Sequence, residues 1–506
     1  MRPLSSGLHL RALHLLLAFC TPVTSQCPNG DQTCRVLASR LPDQVTFPGD
    51  EGYDASLSSY AYLQQQTQSP SCVVKPTSAA EVAFILDVLR ESPSTTFAVR
   101  SGGHATNRGF SNIDGGVTID LGSLNKVDVH DDGVTVSVGT GATWGHVYPV
   151  LDAHNRSLNG GRASDVGVGG FLSGGGIGFF SLEHGFGCDA VVNMEVVLSS
   201  GDVINANATS HRKLFKALKG GQNNLGIVTR WDLTTVHVPE GRIWGGTLVY
   251  PTTTTDEQLE AFTNWKTGAD FDPRASAEQS HVYIGSMDQF LVATSLHYTA
   301  PVEFPESLRN FTAIQPQWDS TLRIAPVAEF AAEVQAQSTP NQYSIFATTT
   351  IKISPTILKT VHALWQDSVR HLSSGATVTS SMTLQSLPAP PPADEPYREN
   401  SFGFDPSSTP QKDDVLVLIS NFWDDPSVGV GTRVREAARR FIASVDSAAE
   451  AEGLAKEFKY MNYAGAGFQS PLESTGQLGF LRRVARCYDG VGMFQRQAVG
   501  GWKFDV

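Results

Sequence analysis

The chain has 506 residues, enough for a large core and, by length alone, two or three folded units. Composition is that of a globular protein with an unusual 47 glycines, and the formal net charge is −13. So acidic a balance excludes nucleic acid and anionic membrane surfaces as expected partners and leaves a small-molecule ligand open.

Residues 1–25 read as a secretion signal. Arg2 and Arg11 precede the apolar run "ALHLLLAFC", and the small residues of "PVTS" offer a cleavage point near Ser25 or Gln26. The run is too short to span a bilayer. The mature protein is therefore expected to be soluble, to have passed through an oxidising compartment, and to reside outside the cell or in the secretory lumen. Five cysteines follow the signal: Cys27, Cys34, Cys72, Cys188 and Cys487. A disulfide is expected among the first three, with Cys34–Cys72 preferred. Cys188 and Cys487 have no CxxC partner, so metal binding is not expected and both read as buried, inert thiols. Asn155, Asn207 and Asn310 head N-glycosylation sequons.

"TSAAEVAFILDVLRES" predicts a helix, with Ser78 and Glu81 as a capping box and Val82, Ile85, Leu86 and Leu89 on one apolar face. The strand "FAVRSGGH" stops at glycine, and "GVTIDL" is a second strand. "KVDVHDDGVTVSVG" and "VVNMEVVLSSGDVINA" predict hairpins turning at Asp132-Gly133 and Gly201-Asp202. "HRKLFKALKGG" is a short helix and "LGIVTRWDLTTV" another strand. Residues 67–238 thus form a glycine-rich α+β unit, to which 26–66 contribute an N-terminal part. Over 239–457 glycine thins out. Strands such as "HVYIGSM", "FLVATSLHY", "SIFATTTIK" and "DVLVLISNFW" alternate there with helices over 356–372 and 432–452, which suggests an antiparallel sheet backed by helices. "PAPPPADEP", 388–396, reads as a surface loop. The tail, 458–506, is rich in glycine and aromatics again and is expected to return to the first unit.

Between Gly160 and Gly187 lie eleven glycines, interleaved with Phe171, Leu172, Ile177, Phe179 and Phe180. A flexible linker would not carry that many apolar side chains. Glycines in a folded loop let the backbone lie against a ligand, and its N–H groups make an anion cradle suited to a diphosphate. Yet no GxGxxG joins a strand to a helix, and GxxxxGK[ST], HExxH and a GxSxG around Ser173 are missing. Some other glycine architecture must hold the nucleotide.

The stretches "RSGGHATNRGFS", "VTIDLGSLNKV", "VSVGTGATWGHVY", "VGVGGFLSGGGIGFFSLEHGFGCDAVVNMEVVLSSGDV", "GGQNNLGIVT" and "YMNYA…GGWKF" occur in that order. Together they resemble the FAD-linked oxidoreductases with a PCMH-type flavin-binding domain, the berberine-bridge-enzyme-like branch of the vanillyl-alcohol-oxidase superfamily, and fungal secreted or lumenal members most. The resemblance covers nearly all of the chain after the signal. It implies an α+β fold, with a PCMH/VAO-type FAD-binding domain and a substrate domain whose antiparallel sheet is backed by helices.

It also implies that His104 bonds covalently to the 8α-methyl carbon of FAD; a neutral imidazole nitrogen is a competent nucleophile. Gly102 and Gly103 would let the backbone approach the flavin ring. Arg100, Ser101, Asn107, Gly109 and Ser111 would complete the first loop, with donors directed to the diphosphate. Arg162, Ser164, Asp165, Gly167, Gly170 and Ser173 would line the second loop, continued by Gly174 and Gly176. Gly226, Ile227, Val228 and Asn462 would close the cofactor site. A second flavin bond, made in many relatives by a cysteine, is not expected, because Ala163 stands at that position. Val166 matches the position that gates oxygen, so molecular oxygen is the expected acceptor.

In "KYMNYA" strand alternation would set Tyr460, Asn462 and Ala464 on one face and Met461 and Tyr463 on the other. Tyr463 resembles the phenol that serves as base in sugar-oxidising relatives, with Tyr460 as its neighbour in the catalytic set. Where other relatives place an acid, this chain has Gln385, which orients a hydroxyl but takes no proton. His184 and Trp144 are left without a role. The expected reaction is hydride transfer from a small alcohol, amine or secondary metabolite to FAD, with oxygen reduced to hydrogen peroxide. Carbohydrate oxidation, and ring closure on a flavoprotein scaffold, are the alternatives.

Overall fold

Four short strands open the fold: β1 (Val45–Thr46), β2 (Cys72–Val74), β3 (Phe97–Arg100) and β4 (Val117–Asp120), in the spatial order β1-β2-β4-β3. In this computed structural model residues 29–370, 372, 377–390, 395–404 and 410–505 are described. The expected signal, with Cys20 and Cys27, lies outside them, as does part of the proline-rich loop. β4 runs parallel to β2 and β3, and the helix Ala79–Glu91 connects β2 to β3. Ser78 Oγ accepts the Glu81 N–H at 3.2 Å, and Glu81 reaches back to the Thr77 N–H at 2.7 Å. Val82, Ile85, Leu86 and Leu89 are buried as their spacing requires, each contributing about 1.5–3 kcal/mol. Cys34 and Cys72 form a disulfide that ties the helix Asn29–Arg40 to β2.

The second sheet comprises β5 (Val127–Val129), β6 (Thr135–Gly139), β8 (Val191–Val197), β9 (Val203–Asn207) and β10 (Ile227–Thr234), ordered β5-β6-β10-β8-β9. A ribbon of β7 (Arg156–Ser157) and β11 (Val236–His237) lies beside it. Both expected hairpins form, β5–β6 and β8–β9.

The largest sheet has nine antiparallel strands. They are β12 (Ile243–Pro251), β13 (Ala275–Ile284), β14 (Gln289–Tyr298), β15 (Asp319–Ser320), β16 (Arg323–Ala325), β17 (Tyr343–Lys352), β18 (Val378–Ser386), β19 (Asp414–Trp423) and β20 (Ala455–Lys456). The order is β15-β12-β14-β13-β18-β19-β17-β20, with β16 also on β12. Helices Thr255–Thr267, Pro355–Arg370 and Val428–Ala451 supply Phe262, Trp365 and Phe441 to the hydrophobic core of this part of the chain. The last begins four residues before the expected start, because Gly429 and Gly431 weaken the helical signal there without preventing the helix. Among the described residues no helix is long and apolar enough to cross a membrane.

The tail packs onto the first sheet: the Phe97 N–H donates to Gln497 O at 2.8 Å, and Phe494 meets Phe97 edge-on. Two expectations need correction. Cys188 is buried but Cys487 is exposed, on the helix Leu478–Tyr488, where Leu481, Val484 and Ala485 take the buried positions. "KYMNYA" is a turn, not a strand: the Tyr463 N–H donates to Tyr460 O at 3.0 Å, which replaces alternation with a three-residue offset. Of the three sequon asparagines, Asn155 and Asn310 are exposed, whereas the Asn207 amide donates to Asn193 Oδ1 at 3.1 Å.

Candidate active site

A cleft of about 520 Å³ separates the glycine-rich loops from the face of the nine-stranded sheet opposite the helices. Its lower wall is made by two loops whose backbones touch. A Cβ on Gly102 would lie 2.5 Å from Gly167 N, so neither loop could carry a side chain there. This contact brings the His104 loop against the loop of residues 160–176. Gly160 and Gly161 are bare for a related reason: the buried Trp144 ring fills the space their side chains would need. That gives Trp144 its place, as the support of the second loop.

Ser101, Gly102, Gly103, His104, Asn107, Ser111, Arg162, Ala163, Val166, Gly167, Gly170, Ser173, Gly226, Ile227, Val228 and Asn462 all line the cleft. Several of their polar atoms are already engaged. Ser101 Oγ donates to Thr140 O at 2.7 Å and accepts from Gly169 N at 3.1 Å. Asn107 clamps the tail, donating to Ala464 O and accepting from Ala466 N, each at 2.9 Å. Ser111 Oγ, by contrast, is buried without a partner.

Arg100, Gly109, Ser164, Asp165, Gly174 and Gly176 do not line the cleft. Arg100 is buried behind it, donating to Ser56 and Ser59, and stacks on Tyr60 at 3.9 Å. A Cβ on Gly174 would strike the Asn462 carboxamide, and one on Gly176 the Phe171 ring. These glycines shape the loop by close packing rather than by facing a ligand. Asp165 stands behind His104, its Oδ1 3.3 Å from Nε2.

The opposite wall is built by alternation. On β13 the residues Ala277, Gln279 and His281 are buried, while Glu278 and Ser280 face the cleft. Pairing sets Glu278 opposite Ser295 of β14 and Ser280 opposite Thr383 of β18, their hydroxyls 2.8 Å apart. One step from the Gln279–Leu384 pair, Gln385 takes its place beside Glu278. Phe346 and Leu418 form the apolar part of this wall.

Arg162 joins the two walls. Its Nη2 donates to Tyr463 Oη at 2.7 Å and to Gln385 Oε1 at 2.9 Å, and its Nη1 forms an ion pair with Glu278. Burial would depress the guanidinium, but the Glu278 carboxylate and the Tyr463 contact more than offset it, so Arg162 stays charged. Burial pushes the Glu278 carboxyl upward and Arg162 pulls it only part of the way back. His297, beside them on β14, is held at about 3 by burial, with Arg162 and Arg323 adding repulsion, so its imidazole is neutral.

Tyr460 has a different environment from Tyr463. It is buried, and its oxygen accepts from Gly176 N and Asn462 Nδ2, each at 3.1 Å. Burial drives its phenol far above the ordinary range, so Tyr460 braces the glycine loop and is unsuited to act as a base.

Sequence reasoning found Tyr463, Gln385 and Arg162 but missed Glu278, His297, Ser280 and Thr383. The alternation of "SAEQSHV" was the available signal, since it isolates a carboxylate on the less buried face of a core strand.

The cleft has features that suit FAD. Gly170 borders it with nothing within 4 Å of where a Cβ would stand, so open space adjoins bare backbone, and the unpartnered Ser111 hydroxyl lines the same cavity. His104 and the Arg162 cluster line the same cavity.

A family described as an FAD binding domain matches residues 70–207. The FAD-dependent monooxygenase sdcF of Emericella nidulans is 34% identical over 478 residues, spanning 93% of this chain and 98% of that protein. In fold the chain is similar to 6-hydroxy-D-nicotine oxidase from Arthrobacter nicotinovorans, with a TM-score of 0.73, 19% identity, and coverage of 90% and 97% of the two chains. It is similar also to the glucooligosaccharide oxidase from Acremonium strictum, which carries a 6-S-cysteinyl, 8α-N1-histidyl FAD (TM-score 0.70, 18% identity, coverage 93% and 100%). A match to sdcF along nearly the whole of both chains, on the fold described above, makes this an FAD-dependent oxidoreductase: the chain belongs to the FAD-linked family with an FAD binding domain of the PCMH type.

Proposed function

We propose that the protein is an FAD-dependent oxidase of a small alcohol, amine or secondary-metabolite intermediate, with FAD bonded to the chain through His104 alone. The observation that carries this reading is the convergence, in one cleft, of His104 on one wall and the Arg162–Tyr463–Glu278–Gln385 cluster bridging to the other. FAD bound there supplies a two-electron acceptor that takes a hydride and returns the electrons to oxygen as hydrogen peroxide.

The chain's own residues do the rest. Arg162 donates to the Tyr463 oxygen and so fixes this phenol at the cleft wall, where it would take the substrate's proton. Gln385 accepts from Arg162 through Oε1, and its buried Nε2 is left to donate to a substrate oxygen. Glu278 neutralises Arg162, so the wall favours an uncharged substrate over a carboxylate. Ser280, Ser295 and Thr383 offer hydroxyl contacts, while Phe346 and Leu418 offer an apolar surface. The hydroxyl row is the feature that favours the second reading, oxidation of a carbohydrate.

Ala163 lines the cleft and has no thiol to offer for a second flavin bond. Passage through the secretory pathway accords with the leader and with the Cys34–Cys72 disulfide.

The test uses purified protein. Yellow colour should remain with the acid-precipitated pellet in the wild type and pass to the supernatant in His104→Ala. A panel of neutral alcohols, amines and sugars should then yield one hydrogen peroxide per product formed. A colourless protein, even after addition of FAD, would sink the oxidase assignment. Product formation without oxygen uptake would replace it with a ring-closing, redox-neutral activity.

A further inference from the structure

Asp165 Oδ1 lies 3.3 Å from His104 Nε2, close enough for an ion pair, and is shut off from solvent with no hydrogen-bond partner of its own. The backbone around it is fixed. Ser164 N donates to Ala331 O, Ser164 O accepts from Gly145 N at 2.7 Å, and Val166 O accepts from Trp144 N. On its other side the imidazole meets the buried Tyr62 ring edge-on, 5.2 Å between centroids. Nε2 is thus the ring nitrogen that faces the carboxylate, and Nδ1 has no hydrogen-bond partner among the described residues.

We infer that Asp165 is a positioning residue for the attachment of FAD at His104: it holds the proton on Nε2, which leaves the Nδ1 lone pair as the nucleophile. This rests on the reading of His104 as the attachment residue. In the net step the bond from Nδ1 to the 8α carbon forms, while one C–H bond of the methyl group and the Nε2–H bond break. The two electrons pass to dioxygen, which takes up two protons from solvent, equal in number to those released, and becomes hydrogen peroxide. Asp165 supports the positive charge that builds on the ring as Nδ1 bonds, accepts the Nε2 proton, and releases it to solvent. The geometry parallels the use of a carboxylate to fix the tautomer of a histidine elsewhere in catalysis. An exposed pair with no such task would be worth little and its loss would change nothing measurable.

The experiment compares wild type, Asp165→Asn, Asp165→Ala and Asp165→Glu, each expressed as the full chain and purified at early and late times after induction. Total flavin is read by absorbance, and the covalent fraction by colour retained in the acid pellet; neither needs a substrate. Asp165→Asn and Asp165→Ala should bind flavin in wild-type amount but acquire the covalent bond at least tenfold more slowly, and Asp165→Glu should recover part of the rate. Asp165→Asn has the same shape as the native side chain, so it carries the test should Asp165→Ala fail to fold. Equal covalent fractions in wild type and Asp165→Asn at the earliest time would overturn the role of Asp165 and leave the His104 bond standing. Wild-type colour released by acid would overturn both.

Discussion

Glu278 on β13 and Gln385 on β18 close on the same guanidinium, that of Arg162, from neighbouring positions on adjacent strands. β18 offers an amide at this point, and the carboxylate comes from β13 beside it. The wall keeps a negative partner for Arg162 while presenting the amide to the substrate. Because Arg162 is buried, removing that partner is costly. Glu278→Gln should lose about 3–5 kcal/mol of stability in denaturant unfolding, and the double variant Arg162→Met/Glu278→Met should recover most of it. A loss below about 0.5 kcal/mol in the single variant would show that the pair is solvated and not the brace described here.

Tyr463 and Tyr460 sit three residues apart in a turn, their rings perpendicular and 4.8 Å between centroids, yet they should fail in different ways. Tyr463→Phe removes the oxygen held by Arg162 and should slow substrate-dependent flavin reduction by about 10²- to 10⁴-fold at unchanged flavin content. Tyr460→Phe leaves the buried Gly176 N–H without its acceptor and should cost about 1–3 kcal/mol of stability, with flavin retention falling alongside. Stopped-flow reduction and thermal unfolding of the two variants separate the roles. Equal rate losses in both would place the two phenols in one functional unit.

The glycine loop gives a sharper test of where the cofactor lies. Gly170 has free space where a Cβ would stand, so Gly170→Ala should fold normally, with an unchanged or slightly higher melting temperature. If the flavin occupies that space, the added methyl should lower the ratio of flavin to protein. Gly174→Ala is the contrast, since its Cβ would collide with the Asn462 carboxamide at 1.8 Å and should destabilise the protein itself. Full flavin content in Gly170→Ala would move the cofactor away from this part of the wall.

Much of this was legible in the sequence because it depends on local chemistry. The cap at Ser78, the hairpin turns at Gly133 and Gly201, and the dense glycines of the second loop announce themselves in a few residues. Glu278 did not, because its importance arises only when β13 pairs with β18 and brings it beside Gln385, more than a hundred residues away. "KYMNYA" misled for a related reason. Its run of large side chains can be read as a strand, but the segment is held by distant partners: Asn107 takes Ala464 and Ala466, Arg162 takes Tyr463, and Gly176 takes Tyr460. Arg100 was assigned to the cofactor for adjoining "SGGH", and only the fold shows its donors committed to Ser56 and Ser59.

Lys266 offers a test of stability separate from the reaction. It is buried in the helix Thr255–Thr267, and its Nζ donates to Ser386 Oγ at 3.0 Å, beside the Trp265 and Phe271 rings. Burial pushes its amine down to about 7, with Asp414 and Asp413 pulling back. In the unfolded chain the same amine titrates near the ordinary lysine value of about 10.4. Between those limits the unfolded state binds a proton that the folded state does not, so this group makes stability rise with pH through that window. Below about 7 both states are protonated, and the fold bears the full cost of a buried charge. Lys266→Met should therefore be more stable than wild type by about 1–4 kcal/mol at pH 6, and the advantage should shrink as pH rises toward 10. Lys219 and Lys503 are depressed in the same way and titrate in both proteins, so only the difference between the two unfolding curves is informative. A constant difference from pH 6 to 10 would mean that the methionine acts through packing and that the Lys266 amine holds its proton in the fold as firmly as in the unfolded chain.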